Sequence, residues 1–167
     1  MEWPGHSPRA FRLTPGAAGV THHAVAAWKG SRMDNPSTGQ CLCGAVSFRI
    51  SGSFDSFFLC HCARCRKGSG SAHAANLFAS GANLTWVSGA DRIQHFVLPG
   101  TRHAKSFCKT CGSALPYTSK DSSMLVVPAG CLDTPVGLRP DAHICHASRA
   151  DWDDALDRIE KIDGLPG

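Results

Sequence analysis

Nine cysteines in a chain of 167 residues constrain the fold more than any other feature. Seven of them form three clusters: Cys41-Leu42-Cys43, Cys60-His61-Cys62-Ala63-Arg64-Cys65 and Cys108-Lys109-Thr110-Cys111. Two thiolates one or two residues apart on a tight turn can both bind one zinc ion, at about 2.3 Å from each sulfur. A disulfide framework would use an even number of cysteines behind a secretory signal, which needs a longer apolar run than residues 24–28 provide. The clusters therefore predict metal binding.

The number of clustered cysteines predicts two kinds of metal site. A closed structural zinc site takes four protein ligands, whereas a catalytic site keeps three and an open position. The set of four would join the first pair, Cys41 and Cys43, to the second pair, Cys108 and Cys111. The remaining three cysteines, the triple, would form the open site: Cys60, Cys62 and Cys65. Spacing alone leaves this pairing open.

Two histidines near the triple are candidates for a further ligand, His61 and His73. His61 lies between two cysteines, so its side chain should point away from an ion that both neighbours face. This placement favours packing or hydrogen bonding for His61. His143 and His146 flank Cys145 in a pattern that imitates a metal site, but we do not expect them to bind metal.

The net charge of +4 is concentrated at one end of the chain. Residues 1–32 hold four basic residues and one acidic residue, which leaves 13 basic against 12 acidic residues elsewhere. Seven thiolates on two divalent ions would make this remainder slightly negative. A near-neutral body attracts phosphate weakly, so we expect no nucleic-acid partner. The chain has no apolar run of about 18 residues, so we expect no membrane span and a cytoplasmic location.

Residues 1–36 show no periodicity of helix or strand and predict a disordered extension. Met33 is a second candidate for the initiator, and a transit peptide is a weaker interpretation of the same segment. Residues 37–167 are expected to form one zinc-binding domain. Short runs of apolar residues there, separated by turn-forming residues, predict an all-β fold with strands at 45–50, 57–59, 72–78, 84–87, 93–97, 104–107, 114–118 and 124–128. The spacing of apolar residues within residues 151–163 predicts a short C-terminal helix.

Three segments carry a resemblance to a known family. CLCGAVSFRI, CHCARCRKGSGSAHAANLF and FCKTCGSAL closely resemble the glutathione-dependent formaldehyde-activating enzymes, a family that includes centromere protein V. The resemblance extends over about residues 38–166. It implies a β-tent fold with two zinc ions: a structural ion on the two pairs and a catalytic ion on the triple.

The resemblance also implies an activity, the joining of formaldehyde and glutathione into S-(hydroxymethyl)glutathione, classed in reverse as a carbon–sulfur lyase reaction. Zinc in an open three-thiolate site can bind a thiol and keep it ionised near neutral pH. The expected partners are therefore a small thiol, with glutathione as co-substrate, and an aldehyde. The alternatives are a zinc-stabilised binding module for chromatin or the cytoskeleton, and a thiol or metal sensor.

The remaining candidates are weaker. Arg66 and Lys67 follow the triple and could pair with carboxylates of the thiol substrate, or could be solvated charges on a loop. Cys131 and Cys145 lie outside the clusters and are expected to be buried structural thiols.

Overall fold

The computed structural model describes residues 36–119 and 123–165. The predicted all-β class is confirmed, because the described residues form short strands and one seven-residue α-helix. The elements are β1 (Ser37–Gln40), β2 (Ser47–Ser51), β3 (Ser56–Cys60), α1 (Ala63–Ser69), β4 (Ala74–Ala79), β5 (Asn83–Ser88), β6 (Ile93–Val97), β7 (Ala104–Cys108), β8 (Ala114–Leu115), β9 (Tyr117–Thr118), β10 (Leu125–Pro128) and β11 (Ala142–Ile144). The extension predicted over residues 1–36 lies outside the described residues, except for Pro36.

The strands form three sheets. Their orders are β1-β2-β5, β11-β3-β4-β10-β9 and β6-β7-β8. Neighbouring strands are antiparallel, except that β11 runs parallel to β3 at one edge of the five-stranded sheet. That edge positions two candidate site residues, because β3 ends at Cys60 and β11 carries His143 opposite Leu59.

Alternation along β2 shows how the sequence builds the core. Phe48 and Ile50 are buried, whereas Arg49 between them faces solvent. The Phe48 ring packs edge-on against Trp86 of β5, with ring centroids 5.9 Å apart. Full burial of each such side chain stabilises the fold by about 1.5–3 kcal/mol. The first sheet is therefore fixed by its apolar face and not by the metal sites alone.

The C-terminal helix prediction needs correction. Residues 151–163 contain a single 3₁₀ turn, Leu156–Arg158, and no α-helix. Trp152, Ile159 and Ile162 are each 60% exposed. Helical spacing stabilises a short segment only when its apolar face packs against something, and these side chains have no such surface among the described residues.

Three elements were not predicted: β1, β11 and α1. β1 is polar and β11 has only three residues, and pairing with β2 and β3 holds them in place. Within the described residues no helix is long and apolar enough to cross a membrane.

Candidate metal centres

The two cysteine pairs meet at one point. Cys41 and Cys43 lie in the turn between β1 and β2, while Cys108 ends β7 and Cys111 lies in the turn before β8. The four sulfur atoms all lie within 4.8 Å of one another. The Cys41 and Cys43 sulfurs are 3.5 Å apart, too far for a disulfide. This four-sulfur cluster joins two turns that are 65 residues apart in sequence and belong to different sheets.

The two turns of the four-sulfur cluster have similar backbones. Gly44 and Gly112 adopt left-handed φ angles of 72° and 74°, which glycine adopts without strain. Their N–H groups donate to the carbonyls of Cys41 and Cys108, each over 2.9 Å. Ser113 connects the turns, because its hydroxyl accepts from the Leu42 N–H over 2.9 Å.

The thiols of this cluster ionise unequally. Hydrogen bonds from the Ser113 hydroxyl and its backbone N–H lower the pKa of Cys111 to about 5. A backbone hydrogen bond from Ala45 lowers the pKa of Cys43, but the adjacent Cys41 thiol and burial outweigh it and raise that pKa to about 11. Four thiolates this close repel one another unless a cation lies among them.

The triple is built where β3 runs into α1. Cys60 is the last residue of β3, and Cys62 is the N-cap of α1. The Cys62 sulfur accepts from the Cys65 N–H over 3.5 Å. The three sulfurs lie within 4.8 Å of one another, and no other histidine, cysteine or carboxylate of the described residues joins their group. The arrangement therefore offers an ion three sulfur ligands from one continuous segment.

The three thiols differ in how readily they ionise. Burial raises the pKa of Cys60 and, more strongly, that of Cys65, where the two neighbouring thiols add to the effect. Burial also raises the pKa of Cys62, but hydrogen bonds from the Cys65 N–H and the neighbouring thiols outweigh it, so the net shift is downward. Cys62 is thus the first of the three to ionise in the metal-free protein.

Arg66 and Lys67, the predicted contacts to substrate, differ in availability. The Arg66 Nε donates to the His61 carbonyl over 3.2 Å, so this side chain already has a partner. Lys67 is exposed.

The sequence did not predict a role for Lys105, whose Nζ donates to the Gly68 carbonyl over 3.4 Å and brings a further cation from β7 to α1. Burial, and then the Cys65 thiolate, raises the pKa of Tyr117, the single tyrosine of the chain.

The structure places neither candidate histidine ligand in the triple. His61 is 1% exposed, and its Nε2 lies 2.7 Å from His143 Nδ1, which confirms the packing and hydrogen-bonding role predicted for it. The prediction that His73 is a candidate ligand of the triple is wrong, because His61 and His73 form a group with Asp153 instead. His143 and His146 also belong to this neighbourhood, with ring centroids 5.0 Å and 5.1 Å from that of His61.

The two cysteines outside the clusters also differ from expectation. Cys131 is half-buried, and burial raises its pKa to about 12, which keeps it protonated. Cys145 is exposed, which corrects the prediction of a buried thiol. It has a left-handed conformation, φ 53°, directly after β11.

Comparison with known proteins decides the family. The family model described as glutathione-dependent formaldehyde-activating enzyme matches residues 36–148. The chain belongs to this family. All seven clustered cysteines lie within the matched range.

One named relative agrees with this family. A Halomonas elongata protein, provisionally named as a glutathione-dependent formaldehyde-activating enzyme, is 32% identical over 124 residues, which are 68% of this chain and 77% of the relative. A crystal structure of a Rhodobacter sphaeroides protein is 25% identical, with a TM-score of 0.48 over 64% of this chain and 98% of the other.

Proposed function

We propose that the protein is a zinc-dependent enzyme of the carbon–sulfur lyase type that handles an adduct of a thiol and an aldehyde, such as S-(hydroxymethyl)glutathione. The observation that carries the proposal is the triple, in which three sulfurs converge and no fourth ligand joins them among the described residues. Family membership and the name of the Halomonas relative support glutathione and formaldehyde as the substrates.

The residues present suit zinc at both cysteine clusters. Each described cysteine is free, and the donor sets are purely sulfur, which zinc accepts readily in tetrahedral sites. The four-sulfur cluster would hold a structural ion through Cys41, Cys43, Cys108 and Cys111. The triple would hold the catalytic ion through Cys60, Cys62 and Cys65. Zinc bound at the triple would supply an open position for a thiol and lower the pKa of that thiol.

The residues around the triple would bind and orient the substrate thiol. Lys67 is free to pair with a carboxylate of glutathione, while the Arg66 contact to the His61 carbonyl fixes the end of the helix. In the reaction the thiol sulfur forms a bond to the aldehyde carbon and the carbonyl π electrons move to oxygen. The proton that the thiol releases ends on that oxygen, so the adduct is a hydroxymethyl thioether.

Exchange spectroscopy by NMR tests the proposal against the spontaneous reaction. Formaldehyde and glutathione form their adduct without an enzyme, so the quantity to measure is the exchange rate with and without zinc-loaded protein. We expect faster exchange with the wild type and with Cys145→Ser, an exposed cysteine outside both clusters. We expect the spontaneous rate with Cys62→Ser. If the wild-type protein left the exchange rate at its spontaneous value, the enzyme proposal would be wrong. A binding module or a sensor would then be favoured.

A further inference from the structure

We propose that the protein has a third metal site, for a divalent transition-metal ion such as zinc, held by His61, His73 and Asp153. One nitrogen from each histidine and one carboxylate oxygen lie within 4.8 Å of one another. The site shares no ligand with the two cysteine clusters, and it goes beyond the proposed function.

Unsatisfied buried atoms are the main evidence. Among the described residues the buried side-chain atoms without a hydrogen-bond partner are His61 Nδ1, His73 Nδ1 and Asp153 Oδ2. His61 Nδ1 and Asp153 Oδ2 are 2.7 Å apart, which is ion-pair distance, but they do not form a hydrogen bond. The side chains of His61 and Asp153 are 1% and 8% exposed. A buried polar atom without a hydrogen-bond partner costs about 1–3 kcal/mol. Three such atoms on residues whose ligand groups lie within 4.8 Å of one another indicate a missing shared partner.

The chemistry of the three atoms suits a transition metal. Two imidazole nitrogens and one carboxylate oxygen are a common ligand set for zinc and for ferrous iron with open positions. The atoms come from three separate segments: the end of β3, the start of β4 and the segment after β11. An ion there would tie the C-terminal segment, which is otherwise largely exposed, to the five-stranded sheet.

A further histidine occupies the position of a supporting group. His143 Nδ1 lies 2.7 Å from His61 Nε2, the ring nitrogen that faces away from Asp153. Histidines that bind a metal usually donate their second ring N–H to an acceptor such as a carboxylate or a backbone carbonyl, which fixes the tautomer of the ring. His143 Nδ1 is placed to be that acceptor for His61. His143→Gln should therefore weaken the affinity of the site about 10–100-fold without removing a ligand.

Metal content measured by mass spectrometry tests the site. Metal-free protein is reloaded with zinc sulfate, desalted and compared with His73→Gln and Asp153→Asn, which remove one ligand each. We expect each variant to hold one ion fewer per chain than the wild type. His95→Gln is the matched control, because His95 is exposed and contacts Ser106 instead of the cluster, and it should retain the wild-type content. Equal zinc content in the wild type and both ligand variants would overturn the proposal.

Proteolysis provides a second readout that does not depend on counting ions. Trypsin can cleave the C-terminal segment after Arg149, Arg158 and Lys161. In excess zinc the wild type should be cleaved there more slowly than Asp153→Asn. Only the wild type has a carboxylate at position 153 through which the ion can hold the C-terminal segment. Asparagine keeps the shape of aspartate, so the fold should persist, and circular dichroism checks this. Equal cleavage rates in zinc would contradict the proposal.

Discussion

At the scale of single residues, the structure separates cysteines whose sulfurs converge from cysteines that stand alone. The seven clustered cysteines converge in two groups, whereas Cys131 and Cys145 stay apart. This division could be predicted from spacing, because thiols one or two residues apart on a tight turn can reach one ion. Burial could not be predicted in the same way, and the exposed Cys145 shows this. Its exposure depends on how the chain leaves β11, which no local pattern encodes.

Cys62→Ser should remove function and keep the fold. Cys62 belongs to one local segment that closes no long connection, and β3 and β4 pair without it. We expect a melting temperature within a few degrees of the wild type and the loss of one sulfur-bound zinc. Calorimetry and zinc analysis check both, with Cys145→Ser as the control. An unfolded Cys62→Ser would reverse the structural and catalytic roles assigned to the two clusters.

Ser113→Ala should destabilise the four-sulfur cluster modestly. The Ser113 hydroxyl accepts from the Leu42 N–H and lies 3.3 Å from the Cys111 sulfur, so it holds two turns together. Loss of this hydroxyl should lower the free energy of unfolding by about 1–2 kcal/mol. Urea denaturation of the zinc-loaded protein measures the change. Ser88→Ala is a suitable control, because the exposed Ser88 hydroxyl hydrogen-bonds the Ser47 hydroxyl and none of the clustered cysteines. An equal loss there would contradict a special role for Ser113.

At the scale of elements, strands with an apolar pattern of several residues could be predicted, whereas β1 and β11, which lack one, could not. Runs such as 93–97 and 124–128 coincide with β6 and β10 within one residue, because alternation and flanking turn residues mark them. β11 has no such pattern and exists because it pairs with β3. The cluster of His61, His73 and Asp153 was not predicted for a related reason. Its three residues are spread over about ninety positions of the sequence, and the fold alone brings them together.

Cys108→Ser should damage the whole fold rather than one site. Cys108 is fully buried and connects the third sheet to the turn between β1 and β2. Structural zinc binding contributes folding free energy, so loss of one ligand removes much of that contribution. We expect insoluble protein or a large drop in melting temperature, measured by calorimetry beside Cys62→Ser. Full solubility and unchanged melting would show that the four-sulfur cluster does not hold a structural ion.

At the scale of the whole molecule, the described residues form a continuous buried core. Its buried cluster runs from Cys41 to Val127 and draws on all three sheets. A chain that starts at Met33 should therefore keep the melting temperature and zinc content of the full chain. Parallel calorimetry and metal analysis of both chains check this. A drop of more than a few degrees would show that the N-terminal residues pack on the domain.

The central claim is that the triple holds an ion that accepts the substrate thiol. Cobalt substitution tests it, because thiolate-to-cobalt charge-transfer bands respond when a further thiol binds. Glutathione should change these bands saturably in the wild type and in Cys145→Ser, but not in Cys62→Ser. A spectrum that stays the same when glutathione is added to the wild type would contradict the claim.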